Sequence, residues 1–186
     1  SKHSVRINAA FKFDEIYYRS KLPEIDSKSQ THAATGQMKY TYYPLKSQYF
    51  FNIKLEHTSQ WAITSNFDGI EHQPITGLVT TNSYRSNDNK WDLILVMRQE
   101  IVYNKLSPFL PSFTVRYEPF YRVFQQKNNL YFSTNIFRNY RYPTLNDRYW
   151  SVGGNPDLQQ EKGWGTEGKV GYDKRFEKGL KLESSI

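Results

Sequence analysis

Apolar and polar residues alternate with a period of two along most of this chain. In the first segment Val5, Ile7, Ala9, Phe11 and Phe13 interleave with Arg6, Asn8, Ala10, Lys12 and Asp14. Tyr49, Phe51, Ile53 and Leu55 likewise oppose Asn52, Lys54 and Glu56, and Trp91, Leu93, Leu95 and Met97 oppose Asp92, Arg98 and Glu100. The clearest run sets Phe113, Val115, Tyr117, Pro119, Tyr121 and Val123 against Thr114, Arg116, Glu118 and Arg122. Successive side chains of a strand point to opposite faces, so each set shares a face of an extended segment, whereas helical spacing scatters it. The pattern predicts about nine strands, near 4–18, 34–42, 49–57, 74–85, 91–103, 113–124, 130–138, 161–173 and 180–186.

The predicted connections alternate in size. Those at 19–33, 58–73 and 139–160 are long and 104–112 is intermediate, whereas 43–48, 86–90, 125–129 and 174–179 are short. Consecutive antiparallel strands put alternate connections at opposite ends, so the longer ones all fall on one side, as in outer-membrane barrels. Pro44, Ser86-Asn87-Asp88-Asn89, Asn128-Asn129 and Gly179 supply turn chemistry in the short ones. Most segments reach the roughly 9 to 11 residues that a tilted membrane strand needs. A soluble antiparallel sheet with one face on a core also alternates, so periodicity alone leaves both architectures open.

Composition shifts that balance. Tyr 15, Phe 12 and Trp 4 make the 186-residue chain highly aromatic, yet its mean hydropathy is negative, so the rings are interleaved with polar residues. The longest apolar run, Leu93 to Met97, is far short of the roughly 20 residues of a membrane helix. Ser1-Lys2-His3-Ser4 leads straight into alternation with no apolar leader, which reads as an internal piece of a longer protein. The absence of Cys removes disulfides, zinc-thiolate sites and Cys nucleophiles without deciding a compartment. A net charge of +7 is spread through the strands and mixed with 18 acids, which argues against nucleic acid as a partner.

One long motif points to a family. Arg138-Asn139-Tyr140-Arg141-Tyr142-Pro143-Thr144-Leu145-Asn146-Asp147-Arg148-Tyr149-Trp150, followed by Gly153-Gly154-Asn155-Pro156-Asp157-Leu158-Gln159-Gln160-Glu161-Lys162, resembles the barrel domain of TonB-dependent receptors. Met97-Arg98-Gln99-Glu100 and Lys105-Leu106-Ser107-Pro108-Phe109 are similar to such receptors as well, and the likeness covers about residues 91–176. Arg148 stands where Leu is usual, and Gln159-Gln160 replaces a common Lys-Pro. Pro143 and Pro156 fix φ, Gly153-Gly154 permits a reversal, and Asp157 and Asn146 suit Asx turns. This chemistry favours a structural role for Pro143, Thr144, Leu145, Asn146, Asp147, Gly154, Asn155, Pro156, Asp157 and Leu158 over direct ligand contact.

The resemblance implies an all-β antiparallel meander forming part of a larger barrel of about 22 strands in the bacterial outer membrane. It implies TonB-energised uptake of an iron chelate, cobalamin or oligosaccharide, with outer-membrane lipid, the imported ligand and TonB, reached through an N-terminal plug, as partners. No covalent chemistry and no cofactor are expected. Ligand contacts are expected from external-loop rings and cations: Trp61, Phe67, His72, Arg138, Tyr140, Arg141, Tyr142 and Trp150. Arg138 and Arg141 suit an anionic ligand. The rivals are a soluble or surface-attached carbohydrate-binding module and a passive porin.

Three weaker signals fall away on context. Gly163-Trp164-Gly165-Thr166-Glu167-Gly168 fits a dinucleotide fingerprint to the letter, but it sits in strand-like alternation, where glycines let neighbouring rings pack. His3, His32, His57 and His72 lack metal-ligand spacing. Asp14-Glu15, and Glu24 with Asp26, have no pocket pattern around them. The rings Tyr40, Tyr42, Tyr43, Tyr49 and Phe50 beside a short turn read as an aromatic girdle. Tyr140, Tyr142, Tyr149 and Trp150 at the other end suit a girdle or sugar stacking equally.

Overall fold

The computed structural model describes residues 2–21, 24–44, 48–65, 69–120, 128–149, 153–175 and 181–185. They form one antiparallel sheet: β1 (Lys2–Lys21), β2 (Glu24–Tyr43), β3 (Tyr49–Thr64), β4 (Ile70–Arg85), β5 (Trp91–Val102), β6 (Lys105–Leu106), β7 (Leu110–Tyr117), β8 (Asn128–Arg141), β9 (Glu161–Arg175) and β10 (Lys181–Ser185). Strand order follows chain order, with the two-residue β6 paired to β5 off the main path. The expected meander of nine strands is therefore present, and the sheet is open, with β1 and β10 at its edges.

Loop lengths differ from expectation. Residues 19–33 are almost wholly strand, β1 ending at Lys21 and β2 beginning at Glu24, and β3 and β4 likewise run through most of 58–73. Thr, Ser, Gln and His in these stretches resemble loop composition, but pairing such as Thr31 with Ala62 and Gln60 with Gln73 satisfies their backbone regardless of polarity. At these two connections the asymmetry is thus one of tall hairpins, whereas the third, between β8 ending at Arg141 and β9 beginning at Glu161, is long as expected. In the opposite sense, the pattern predicts a strand to 124, but β7 stops at Tyr117 and Pro119-Phe120 turn away; Pro119 has no N–H to offer a ladder. The expected strand residues 121–124 lie outside the described residues.

The sheet is oblique. Straight across the hydrogen-bonded rows, Phe51 faces Asn82, then Leu95, Phe113, Ile136 and Thr166. Phe51 is two residues from the start of β3 at Tyr49, whereas Thr166 is nine residues from the end of β9 at Arg175. That drift is about 1.4 residues per strand step; at ~3.3 Å rise and ~4.8 Å spacing it inclines the strands by about 45° to the line of turns.

Directly opposed residues share a face, so the register sorts every strand. One face carries Val5, Ile7, Phe11, Met38, Leu55 and Leu78, with Phe113, Phe132 and Val170 farther along. It is also the uncovered face: Ile7 is 73% exposed and Phe11 68%. The other face carries Arg6, Lys39, Lys54, Glu56, Arg98, Glu100 and Arg116, and over β2 to β5 it is the covered one, with Thr41, Asn52, Gln73 and Glu100 all buried. A water-soluble sheet shows the reverse.

Candidate functional site

The polar face is built around stacked ion pairs. Lys54 meets Glu56 at 2.7 Å, Arg98 reaches Glu56 at 2.9 Å, and Arg98 also pairs with Glu100. Glu56, Gly77 and Glu100 lie in one row across β3, β4 and β5. A Cβ at Gly77 would come 3.3 Å from the Glu56 Cγ, so glycine leaves room for two carboxylates side by side. Nearer the turns, Arg85 holds Asp92 through two bonds of 2.5 and 2.6 Å, and Arg116 pairs with Glu118 while lying 3.9 Å over the Tyr131 ring.

At the tall end, the segment after β8 folds onto this polar face. Thr144 and Asp147 form a reciprocal capping box: the Thr144 amide donates to Asp147 Oδ2 at 2.9 Å and the Asp147 amide to Thr144 Oγ1 at 3.2 Å. The box opens a short helix, α1 (Leu145–Tyr149), which periodicity does not predict. Leu145, 5% exposed, packs on Ala62 of β3 with Tyr149 beside it, and buried Gln73 donates to the Pro143 carbonyl at 3.2 Å. The Thr144 amide, then its hydroxyl, hold the Asp147 carboxyl below the usual range, with Arg141 adding to the effect.

The motif residues mainly bond one another. The Asn155 amide donates to the Asp147 carbonyl at 3.0 Å, and Arg148 Nε donates to the Pro156 carbonyl at 3.2 Å. The Asx acceptor is Asn155, which receives the Asp157 amide at 2.9 Å, and Asp147 caps the helix; Asp157 and Asn146 fill neither role. Asn146, Asp147, Gly153, Asn155 and Leu158 line an open cleft of about 550 Å³. Gly154 sits half-buried between the two turns.

The expected ligand residues divide. Trp61 lies on β3 and His72 on β4, not in a loop; they are direct partners with rings stacked at 5.1 Å and 12°. Both lie on the apolar face, where Trp61 borders a groove floored by Ala9, Ala34, Gly36 and Ser59. Arg141 is tied to Asp147 at 3.3 Å and Glu161 at 3.6 Å. Arg138 donates to the Phe109 carbonyl at 3.4 Å and lies 5.9 Å over Trp164. Tyr140 is opposite Lys162, and Tyr142 meets Tyr103 at 5.9 Å. Phe67 and Trp150 lie outside the described residues.

The structure also brings Tyr142 and Tyr149 together with Arg148 and Tyr103, which sequence reading did not single out for ligand contact. The Arg148 guanidinium lies 4.8 Å from the Tyr103 ring, 4.9 Å from Tyr149 and 5.7 Å from Tyr142. Tyr103 comes from the β5–β6 hairpin, where it and Asn104 take φ of 48° and 63°. Such values suit Asn or Gly and are strained for tyrosine. Burial pushes the Tyr103 phenol well above its ordinary range, so it stays protonated. The available signals were the departure from Leu at position 148 and a Tyr-Asn pair between apolar runs.

Aromatic rings also follow the slanted short-turn edge of the apolar face. His3, Tyr42, Phe51, Tyr49 and Tyr84 lead to Trp91 and Tyr117, whose rings stack at 4.3 Å. Tyr43 and Phe50 meet at 4.9 Å with their rings tilted by 49° on the opposite face. The apparent dinucleotide fingerprint is strand: Phe137 covers Gly165, where a Cβ would sit 2.6 Å from its ring, and Tyr131 covers Gly171 in the same way. Among the described residues no group of three or more acidic or histidine side chains could hold a metal, and no helix is long and apolar enough to cross a membrane. No family model and no curated protein sequence matches the chain.

Proposed function

We propose that this chain is a wall segment of a bacterial outer-membrane β-barrel, from a receptor of the TonB-dependent kind that takes up a scarce solute. The carrying observation is the inverted sidedness of the sheet. From His3 to Phe13 on β1, Tyr49 to Ile63 on β3 and Trp91 to Ile101 on β5, the exposed face bears no Asp, Glu, Lys or Arg, while the covered face bears the ion pairs. Lipid rewards the first arrangement, and a water-filled lumen the second. The ring girdle along one edge and the strand inclination of about 45° support the same reading.

On this reading the two sheet edges continue into further strands of about 22 in all, and the polar face looks into the lumen. Trp61 and His72 then meet lipid at the outer boundary, and solute selection passes to the inward-folded segment with Tyr142 and Arg148. Chemistry at this wall is recognition and passage; energy comes from TonB through a plug domain. A carbohydrate-binding sheet remains the second reading, favoured by the adjacent rings of Phe13, His32, Trp61 and His72. Membrane fractionation of cells expressing the full-length protein separates the two. Retention until detergent is added supports the barrel; release into buffer or by carbonate refutes it.

A further inference from the structure

We infer that the groove between β1 and β3 on the exposed apolar face seats one ester-linked acyl chain of an outer-leaflet membrane lipid. The inference rests on the barrel reading above and names a particular lipid seat on its wall.

The groove encloses about 480 Å³ and runs along the strands from His57 to Trp61. Its floor is small, made by Ala9, Ala34, Gly36 and Ser59, and the rings of Phe11 and Trp61 stand at its sides. The row below it, Ile7, Met38 and Leu55, is bulky, and the row above it carries the rings of Phe13, His32 and Trp61. Nothing in the chain fills the space between. A Cβ at Gly36 would meet no atom within 4 Å, whereas Gly165 and Gly171 lie under rings and Gly77 beside a carboxylate side chain. Among the described glycines a positive φ occurs at Gly69, so no turn requires the glycine at 36.

Depth and chemistry together select the occupant. Ser59 is ten residues along β3 from Tyr49, and Trp61 is twelve. At ~3.3 Å rise and ~45° inclination they stand about 23 and 28 Å from the short-turn girdle, at the far edge of a ~25 Å apolar band. The face turns charged just beyond, where Glu15 and Lys28 pair at 3.2 Å. Within the groove, His57 Nδ1 meets Thr76 Oγ1 at 2.8 Å and Nε2 meets Ser59 Oγ at 3.1 Å. A neutral imidazole has one N–H and one acceptor nitrogen, so it donates to one hydroxyl and accepts from the other. The hydroxyl that it donates to keeps its own O–H, and neither hydroxyl has another partner among the described residues. Water is absent from hydrocarbon, so the acceptor for that O–H comes from the lipid. An acyl chain brings an ester carbonyl to this height, at the boundary of the apolar band. A second copy of this face offers strand carbonyls already paired in the sheet.

The test uses the full-length protein purified in detergent, with dipalmitoylphosphatidylcholine, its ether-linked analogue and chain-free glycerophosphocholine as probes in native mass spectrometry. One diester lipid should be retained, the ether analogue several-fold more weakly, and the chain-free headgroup not at all. Gly36→Leu fills the floor and should weaken retention at least tenfold, while Val5→Leu, on the same face outside the groove, should leave it unchanged. Ser59→Ala combined with Thr76→Val should bring the preference for diester over ether close to one. Unchanged thermal midpoints establish that the variants fold, and the diester-to-ether ratio of the parent keeps the test open where one does not. Retention that ignores Gly36→Leu, equal retention of diester and ether by the parent, or a protein dimer lost in Gly36→Leu in place of a lipid adduct overturns the inference. If no lipid is retained while the protein still needs detergent, the inference fails and the barrel reading stands.

Discussion

Placing one positive charge on each face of the sheet separates a membrane wall from a soluble sheet. Leu55 lies on the apolar face, 46% exposed, and Gln37 lies on the polar face directly opposite Glu56. Leu55 is six residues along β3 from Tyr49 at the ring girdle; at ~3.3 Å rise and ~45° inclination this is about 14 Å of depth, near the middle of a ~25 Å apolar band. An arginine there should cost about 2–4 kcal/mol in a bilayer. In water the same change at a half-exposed site costs roughly 0.5 kcal/mol. Gln37→Arg gains a carboxylate neighbour and should stay within about 0.5 kcal/mol of the parent. The assay is urea-titrated folding of the full-length protein into lipid vesicles. Leu55→Arg within about 0.5 kcal/mol of Gln37→Arg would refute the assignment of the exposed face to lipid.

Three further outcomes follow from particular contacts. Gly165→Val should cost about 1–3 kcal/mol, because the Phe137 ring occupies the space of a new Cβ, while Gly163→Val, with nothing near it, should cost less; thermal midpoints in detergent compare them. Gln73→Leu strands the Pro143 carbonyl and should loosen the folded-in segment by about 1–3 kcal/mol, read as faster proteolysis between Tyr142 and Gln160. The Asp147 carboxyl titrates lower in the folded chain, so its contribution to α1 is present above the ordinary aspartate range and lost as pH falls through the depressed value. Amide exchange at Thr144, the residue whose N–H it accepts, should rise in that acid window and become insensitive to it in Asp147→Asn.

How much of this was open to reading along the chain depends on how local the cause is. The alternation at Val5 to Phe13, Tyr49 to Leu55 and Trp91 to Met97 determined the strands and the composition of each face, because a period of two is a property of neighbours. That glycines in 163–168 let rings pack was legible too, but the register chose Phe137 for Gly165. Strand lengths were not legible: Thr31 or Gln60 reads as loop until a partner strand arrives to satisfy its backbone. Nor does periodicity reveal which face is covered. That came from the register, which puts Glu56, Gly77 and Glu100 in one row although they are far apart in the chain, and from the fold-back that seats Leu145 on Ala62. Arg148 shows the division most directly. Its identity and its departure from Leu are sequence; its three tyrosines come from the β5–β6 hairpin, the segment before α1 and the last residue of α1, and only the tertiary structure brings Tyr103 to it. Local periodicity selects backbone and face, whereas contacts between residues distant in sequence depend on register and chain reversal, which one strand alone does not encode.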